Sequence, residues 1–327
     1  MHRFKGLGDI TQGKIVAAID VAMLVIFAIL LTGFATTDNI LSLLQNVSVL
    51  GILGLGMAIT IIGRGIDLSM VAVAVMPVAW AFVEMANGMS AGLAVGQAVL
   101  FTIGVGLLNG WLIAYVEVPA IFATLSSGIV VFGAIQYFAV DNDLIAIPPQ
   151  MGAMASLIRG TTLGLPNSVL AFLIVAALVA LFLRTRVSGR FVYAVGDNPM
   201  AARVTGVPVR PNILLQYVLS ALIALLAGFF LATTVDGANT RLFNSTMVYD
   251  VILIVVLGGI GLAGGKGSVG NVLAGTALIG ILTNAMTILN VDYYTQNLVK
   301  AAILLLTIAV DSALNPRDEQ TSQQGDI

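Results

Sequence analysis

Apolar runs of about twenty residues alternate along this chain with short breaks of glycine, proline and charge. A helix rises 1.5 Å per residue, so a run of about twenty residues crosses the roughly 30 Å hydrocarbon core of a bilayer. The pattern predicts ten crossing helices, at 15–34, 41–62, 67–86, 91–116, 119–140, 167–184, 212–233, 248–263, 268–290 and 294–312. Two longer stretches, 141–166 and 185–211, are left between them. The expected fold class is all-α: one polytopic membrane helix bundle over 15–312, between a polar N-terminal segment, 1–14, and a polar tail, 313–327.

Composition removes the soluble alternative. The 327 residues are 59% hydrophobic and 9% charged, whereas a soluble chain carries roughly 25% charged residues. The absence of cysteine excludes disulfides and thiolate chemistry, and His2 is the one histidine, so catalytic and metal sites have little raw material. No metal or cofactor is expected in the chain. Val21 to Phe34 follows Arg3, Lys5 and Lys14 as a signal peptide would, but no small-x-small cleavage site follows, and the stretch reads as the first span.

Basic residues set the orientation, because they collect on the cytoplasmic side. With the N-terminus in the cytoplasm, Arg3, Lys5, Lys14, Arg64, Arg184, Arg186, Arg190, Arg203, Arg210, Lys266 and Arg317 fall inside, against Arg159, Arg241 and Lys300. Eleven against three favours an even span count with both termini inside. Stretch 141–166 then faces outward and 185–211 inward. Trp111 and Tyr115 fall near the inner end of a span, and Tyr293 and Tyr294 near an outer end, where amphipathic rings prefer to sit. No basic patch is left for nucleic acid.

Three local features carry more than packing. In the inner stretch Asn198 is a good N-cap, Pro199 suits the first helical position and Gly206 suits a left-handed stop. Together they predict a short helix over 200–205, with small Ala201 and Ala202 on one face and Arg203 free to reach lipid phosphates or a partner's acids. Two glycine-rich breaks, Gly63-Arg-Gly-Ile-Asp-Leu-Ser69 and Gly258-Gly-Ile-Gly-Leu-Ala-Gly-Gly-Lys-Gly-Ser268, are candidate hinges, with Gly63, Gly65, Gly264 and Gly265 as pivots. Asp67 is expected to pair with Arg64 or cap the next helix, because an unpaired carboxylate at the bilayer centre costs about 3 kcal/mol. Glu84, Asp250, Lys300 and Asp311 fall near span ends and are expected to snorkel or face water. Glycines in spans two, four and nine, among them Gly54, Gly106, Gly110 and Gly275, are expected to let helices approach closely. Gly264-Gly-Lys-Gly-Ser268 is no phosphate loop: Ile260 stands where its first glycine belongs, and Gly267, not Ser or Thr, follows Lys266.

Four ordered blocks resemble the permease subunits of bacterial sugar ABC importers, the ribose-, xylose- and galactose-type permeases. They are Gly65-Ile-Asp-Leu-Ser69; Gly106-Leu-Leu-Asn-Gly110 with Pro119 and Thr124-Leu125; Gly189-Arg-Phe-Val-Tyr-Ala-Val-Gly196 with Asn198-Pro199 and Ala201-Ala202-Arg203; and Leu257 to Ser268 with Gly275 and Asn284. The chain departs from that pattern at Arg64, where the family has glycine, at Met70-Val71 after the first block, and in lacking an arginine after Thr124-Leu125. These departures leave the solute open and suit one half of a heterodimer.

The resemblance implies a non-catalytic permease in the bacterial inner membrane. It implies a solute path between two permease copies, equal or unequal. ATP and Mg would be bound by a separate ATP-binding cassette subunit, and a periplasmic or lipid-anchored binding protein would deliver a small polar solute, a monosaccharide above all. Asp197, Asn198, Pro199, Ala201, Ala202, Arg203 and Gly206 would form the coupling helix on the ATPase, and Asn109, Phe122 and Asn284 are candidate path-lining residues. A nucleoside, a signalling furanose or a branched-chain amino acid is the alternative solute. An ion-coupled carrier would instead be expected to place ionisable residues at midspan.

Overall fold

In lipid every backbone group must find its partner within the protein, so each apolar stretch is pushed toward helix. The computed structural model describes residues 12–140, 142–234 and 236–314, and a helix occupies each of the ten apolar stretches. These are α1 (Gln12–Leu30), α2 (Thr37–Ile62), α3 (Met70–Ala86), α4 (Ala91–Ala114), α5 (Ala120–Phe138), α7 (Asn167–Thr185), α10 (Val209–Thr234), α11 (Met247–Leu257), α12 (Val269–Ile288) and α13 (Tyr293–Leu314). Three more helices lie in the longer stretches: α6 (Gly152–Arg159), α8 (Val187–Asp197) and α9 (Pro199–Val204). Six of the thirteen, α2, α4, α5, α7, α10 and α12, are long and apolar enough to cross a membrane; Val16–Leu30, α3 and α11 are shorter apolar helices. The chain is a polytopic helical membrane protein. Arg3, Lys5, Arg317 and the rest of the tail after Leu314 lie outside the described residues, as does the side chain of Asp311.

Several boundaries shift from the sequence expectation by three or more residues, and two of these shifts have a local cause. The eighth helix ends at Leu257 rather than 263, because Gly259 turns left-handed (φ 99°) directly after its cap. The third begins at Met70, since Asp67 to Ser69 belong to the preceding break.

Burial sorts the helices. Residues 51–62 of α2 and 69–79 leading into α3 are buried without interruption, as expected of helices enclosed by others. α10 packs against α4, α2 and α3, and α12 against α2, α11 and α1. Small residues permit the closest of these approaches. An added methyl at Gly106 or Gly110 would lie 2.8 Å from Val218 Cα or 2.7 Å from Leu214 Cα, so α4 and α10 touch backbone to backbone. α5 and α7 instead show large apolar side chains outward, including Phe122, Ile129, Ile174 and Leu178.

At one end the first of the longer stretches, 141–166, and the residues after α10 form a small cap. Strand β1 (Leu144–Ala146) pairs antiparallel with the distant β4 (Gly237–Asn239), Ile145 facing Ala238. The two-residue β2 (Thr161–Thr162) and β3 (Leu165–Pro166) close a hairpin after α6. Ion pairs Arg159–Asp236 (2.6 Å) and Arg241–Asp143 (2.8 Å) clip this cap together.

Candidate functional site

The four sequence blocks, Asn284 apart, meet at the opposite end of the bundle, where α2, α4, α7 and α11 end and α3, α5, α10 and α12 begin. The first break enters it through Asp67, which is 1% exposed. Asp67 Oδ1 accepts hydrogen bonds from Ser69 N (3.1 Å) and Ser69 Oγ (2.5 Å), and Oδ2 accepts one from Ser220 Oγ of α10 (2.8 Å). A buried carboxylate persists when donors surround it in this way. Asp67 thereby closes a local turn onto Ser69, the residue that precedes α3. The second block joins the same cluster: Asn109 Nδ2 of α4 donates to Ser69 Oγ (2.9 Å), and Thr124 Oγ1 of α5 accepts from Leu68 N (3.0 Å). One turn thus ties α3, α4, α5 and α10.

The second break folds over the end of α2. Gly264 and Gly265 are both left-handed (φ 80° and 73°), and Gly265 N donates to Ile62 O (2.8 Å), the last residue of α2. A methyl at Gly196 in α8 would overlap the same carbonyl, and one at Gly265 would sit 2.7 Å from Asp197 Cα. Tyr193 Oη donates to Gly267 O (3.0 Å). Burial raises the Tyr193 pKa against a smaller lowering by Arg184, so this donor stays neutral. α8, the end of α2 and the second break are therefore in direct backbone contact.

α8 leads into α9, whose ends follow the predicted chemistry. Asn198 Oδ1 accepts from Ala201 N (2.9 Å) and Pro199 occupies the first position. Gly206 is left-handed (φ 85°), with Gly206 N donating to Arg203 O and Val207 N to Ala202 O, both at 3.0 Å. That is the Schellman stop, with its usual apolar contact between Val207 and Ala202. Ala202 (4% exposed) seats α9 on Val195, Ile213 and Tyr217, while Met200 and Val204 (55% and 87%) face away from the bundle with Arg203. α8 itself was not foreseen. Its signal is the 3–4 spacing of buried Gly189, Val192, Val195 and Gly196.

The candidate path residues are scattered. Asn109 is 1% exposed inside the junction, and Phe122 is 64% exposed on the outer face of α5. Asn284 lies toward the other end, where it lines a cavity of about 160 Å³ with Thr276, Thr283 and Lys300. There Asn284 and Asn39 exchange amide hydrogen bonds of 2.9 and 3.0 Å. A neighbouring cavity of about 250 Å³ is lined by Leu231, Leu242, Met247 and Tyr293 among others, and Asn46, Leu50 and Asp250 line both. Asp250 and Lys300 neither snorkel nor face bulk water: they pair with each other at 2.8 Å, because adjacent α11 and α13 let two costly charges neutralise one another. Nearby Asp292 Oδ2 accepts from Thr295 Oγ1 at the start of α13, which lowers the Asp292 pKa.

The family described as branched-chain amino acid transport system / permease component matches residues 39–308. The chain belongs to this permease family. It is 31% identical over 296 residues to the ribose import permease protein RbsC of Escherichia coli (strain K12), covering 89% of this chain and 92% of that protein. It is 32% identical over 302 residues to the L-arabinose transport system permease protein AraH of Escherichia coli (strain K12), covering 88% and 89%. The fructose import permease protein FrcC of Rhizobium meliloti is 28% identical over 303 residues, covering 89% and 82%. No solved structure matches. The permease that emerges gathers its family blocks, Asn284 apart, in a single junction, with α9 as the exposed outer part.

Proposed function

We propose that this permease is the membrane subunit of an ATP-driven monosaccharide importer in a bacterial inner membrane, and that α9 is its coupling helix. ATP and Mg belong to a separate subunit, and a soluble binding protein delivers the sugar on the far side. The carrying observation is α9 itself: a helix capped at both ends, seated by Ala202, presenting Met200, Arg203 and Val204 outward. A linker between two spans needs neither cap nor an exposed apolar pair.

Charge supports the orientation. Arg64, Arg184, Arg186, Arg190, Arg203, Arg210 and Lys266 lie at or beside the junction, and Arg159 and Arg241 at the β1–β4 end. The junction is then cytoplasmic. Ten crossings follow if the shorter apolar helices and α13 also span, sheltered by their neighbours. The named relatives carry ribose, arabinose and fructose, which favours a sugar over the amino acid of the family's description.

The test uses the chain's lack of cysteine. Met200→Cys, purified in mild detergent with whatever accompanies it, should crosslink to a co-purifying ATPase, and proteoliposomes of that assembly should take up labelled sugar only with ATP. A solitary chain that transports without ATP would overturn the reading in favour of an ion-coupled carrier.

A further inference from the structure

The charged pair Asp250–Lys300 is an expensive way to hold two helices. A charge costs about 2.5–3.5 kcal/mol at the middle of a bilayer and less toward its faces, and Asp250 lies in the first turn of α11; neutral side chains can fasten helices without any such cost. The chain does so close by, where the Asn39–Asn284 amide exchange clips α2 to α12. The charged pair is also not sealed. Its side chains keep 17% and 11% exposure, and Asp250 lies where the cavities of about 250 and 160 Å³ adjoin.

The lining has unused hydrogen-bonding capacity. Thr276 is 1% exposed, and its hydroxyl has no partner among the described residues although it lines the smaller cavity. Two threonines on α12 and α13 instead bond their own backbone, Thr287 to Thr283 O (2.9 Å) and Thr307 to Ile303 O (2.7 Å). An unpaired buried hydroxyl costs about 1–3 kcal/mol, which a hydrogen-bonding guest would relieve. The Asn46 amide, shared by both cavities, makes no side-chain hydrogen bond among the described residues. The larger cavity adds the Tyr293 ring and aliphatic walls.

We propose that these two cavities form a polyol subsite inside the single chain, centred on Asp250 and Lys300, for an uncharged polyhydroxylated solute. The proposal rests on the sugar-importer reading above and places part of its solute path. A carboxylate has about four lone-pair directions, and Lys300 Nζ takes one on each oxygen, at 2.8 and 2.9 Å. Two remain, suited to a pair of neighbouring hydroxyls. Lys300 keeps a further N–H, and Asn46, Asn284 and Thr276 supply donors and acceptors around the rim, while Tyr293 and the aliphatic wall meet the C–H face of a sugar ring. The site's charges sum to zero, so a neutral guest binds without breaking the pair. A zwitterionic amino acid would have to pull the pair apart to use it.

The test again starts from a chain without cysteine. Asn46→Cys is placed in the full assembly in proteoliposomes, and its reaction with a thiosulfonate reagent is timed with D-ribose, L-arabinose, D-fructose or L-leucine present. Leu163→Cys, 94% exposed in the β2–β3 turn, is the control. A transported sugar at ten times its dissociation constant should slow reaction at Asn46→Cys by about tenfold, leaving Leu163→Cys unchanged. The neutral double variant Asp250→Asn, Lys300→Gln should abolish that protection. The milder Thr276→Val, which keeps the shape and loses the hydroxyl, should weaken it several-fold. If a sugar is taken up but never protects, or protects equally in all variants, the subsite is wrong and the sugar reading stands. Uptake of leucine alone, with protection by leucine alone, would sink both.

Discussion

Gly206 offers a substitution whose whole effect is in the backbone. A methyl added there meets no atom within 4 Å, so no clash with a neighbour can contribute. What changes is the cost of holding φ at 85°, about 1–2 kcal/mol for an ordinary side chain and more for a β-branched one. α9 has only six residues, and so short a helix has no reserve beyond its caps and its seat on the bundle. A loss of 1–2 kcal/mol lowers the ratio of formed to unformed helix by about 5–30-fold. Transport should fall in the order Gly, Asn, Ala, Val at position 206, because asparagine tolerates the left-handed region. The assay compares sugar uptake with ATP hydrolysis in proteoliposomes of the complete assembly, at equal permease content. Uptake per ATP should drop for Gly206→Val, while the unfolding temperature of the bundle stays near that of the parent. Undiminished coupling in Gly206→Val would refute the reasoning, as would an asparagine variant as impaired as valine.

Two other predictions concern the packing. Gly106→Leu or Gly110→Leu should destabilise the bundle by about 1–3 kcal/mol through the α4–α10 contact, whereas Gly104→Leu, with open space around it, should stay within about 0.5 kcal/mol; equal melting temperatures for Gly104→Leu and Gly106→Leu in detergent would contradict the close approach. Ser220→Ala removes one donor from the Asp67 carboxylate and should cost about 1–2 kcal/mol, while Asp67→Ala should cost more by stranding Ser69 and Ser220 together. A milder effect for Asp67→Ala than for Ser220→Ala would show that the cluster is not what holds α3 to α10.

Hydrophobic run length located the six helices long and apolar enough to cross a membrane and the three shorter apolar ones, because in lipid an apolar stretch has no competing structure. Cap chemistry located α9 almost to the residue, since Asn198, Pro199 and Gly206 act on backbone atoms no more than three residues away. Helix ends set by tertiary contact were harder to read. Leu257 ends α11 six residues early because the break must reach back to Ile62. The partners that define the sites were not legible at all: Ser220 lies 153 residues from Asp67, and Lys300 fifty from Asp250. Hydropathy treats each charge alone and pays no attention to what stands opposite, so it sent Asp250 and Lys300 to the water and missed their pairing. For the same reason Asn109 and Asn284 looked alike in sequence, yet one is locked in the junction and the other borders a cavity.

The junction and the cavities share their helices, and this gives the coupling proposal a mechanical form. α10 has 26 residues, so it is about 39 Å long. Its first turns hold Ile213 and Tyr217 under α9, and its last turns put Leu231 and Thr234 on the larger cavity. α2 runs likewise from Asn46 at both cavities to Ile62, whose carbonyl receives Gly265 and abuts Gly196. α11 carries Asp250 near its start and ends against the second break. At the junction α10 meets α4, and the end of α2 meets α8 and the second break, through backbone contacts permitted by glycine, which leave little flexible side chain to absorb a displacement. A push on α9 and α8 is then borne by whole helices, and packed helices respond by tilting or sliding as units. Small tilts at one end become larger displacements at the other. Asp250 and Asn46 would shift relative to Lys300, which lies on α13, a helix whose main contact is with α11. The charged pair is thus where a tilt of α11 would be felt as a change in hydrogen-bonding geometry.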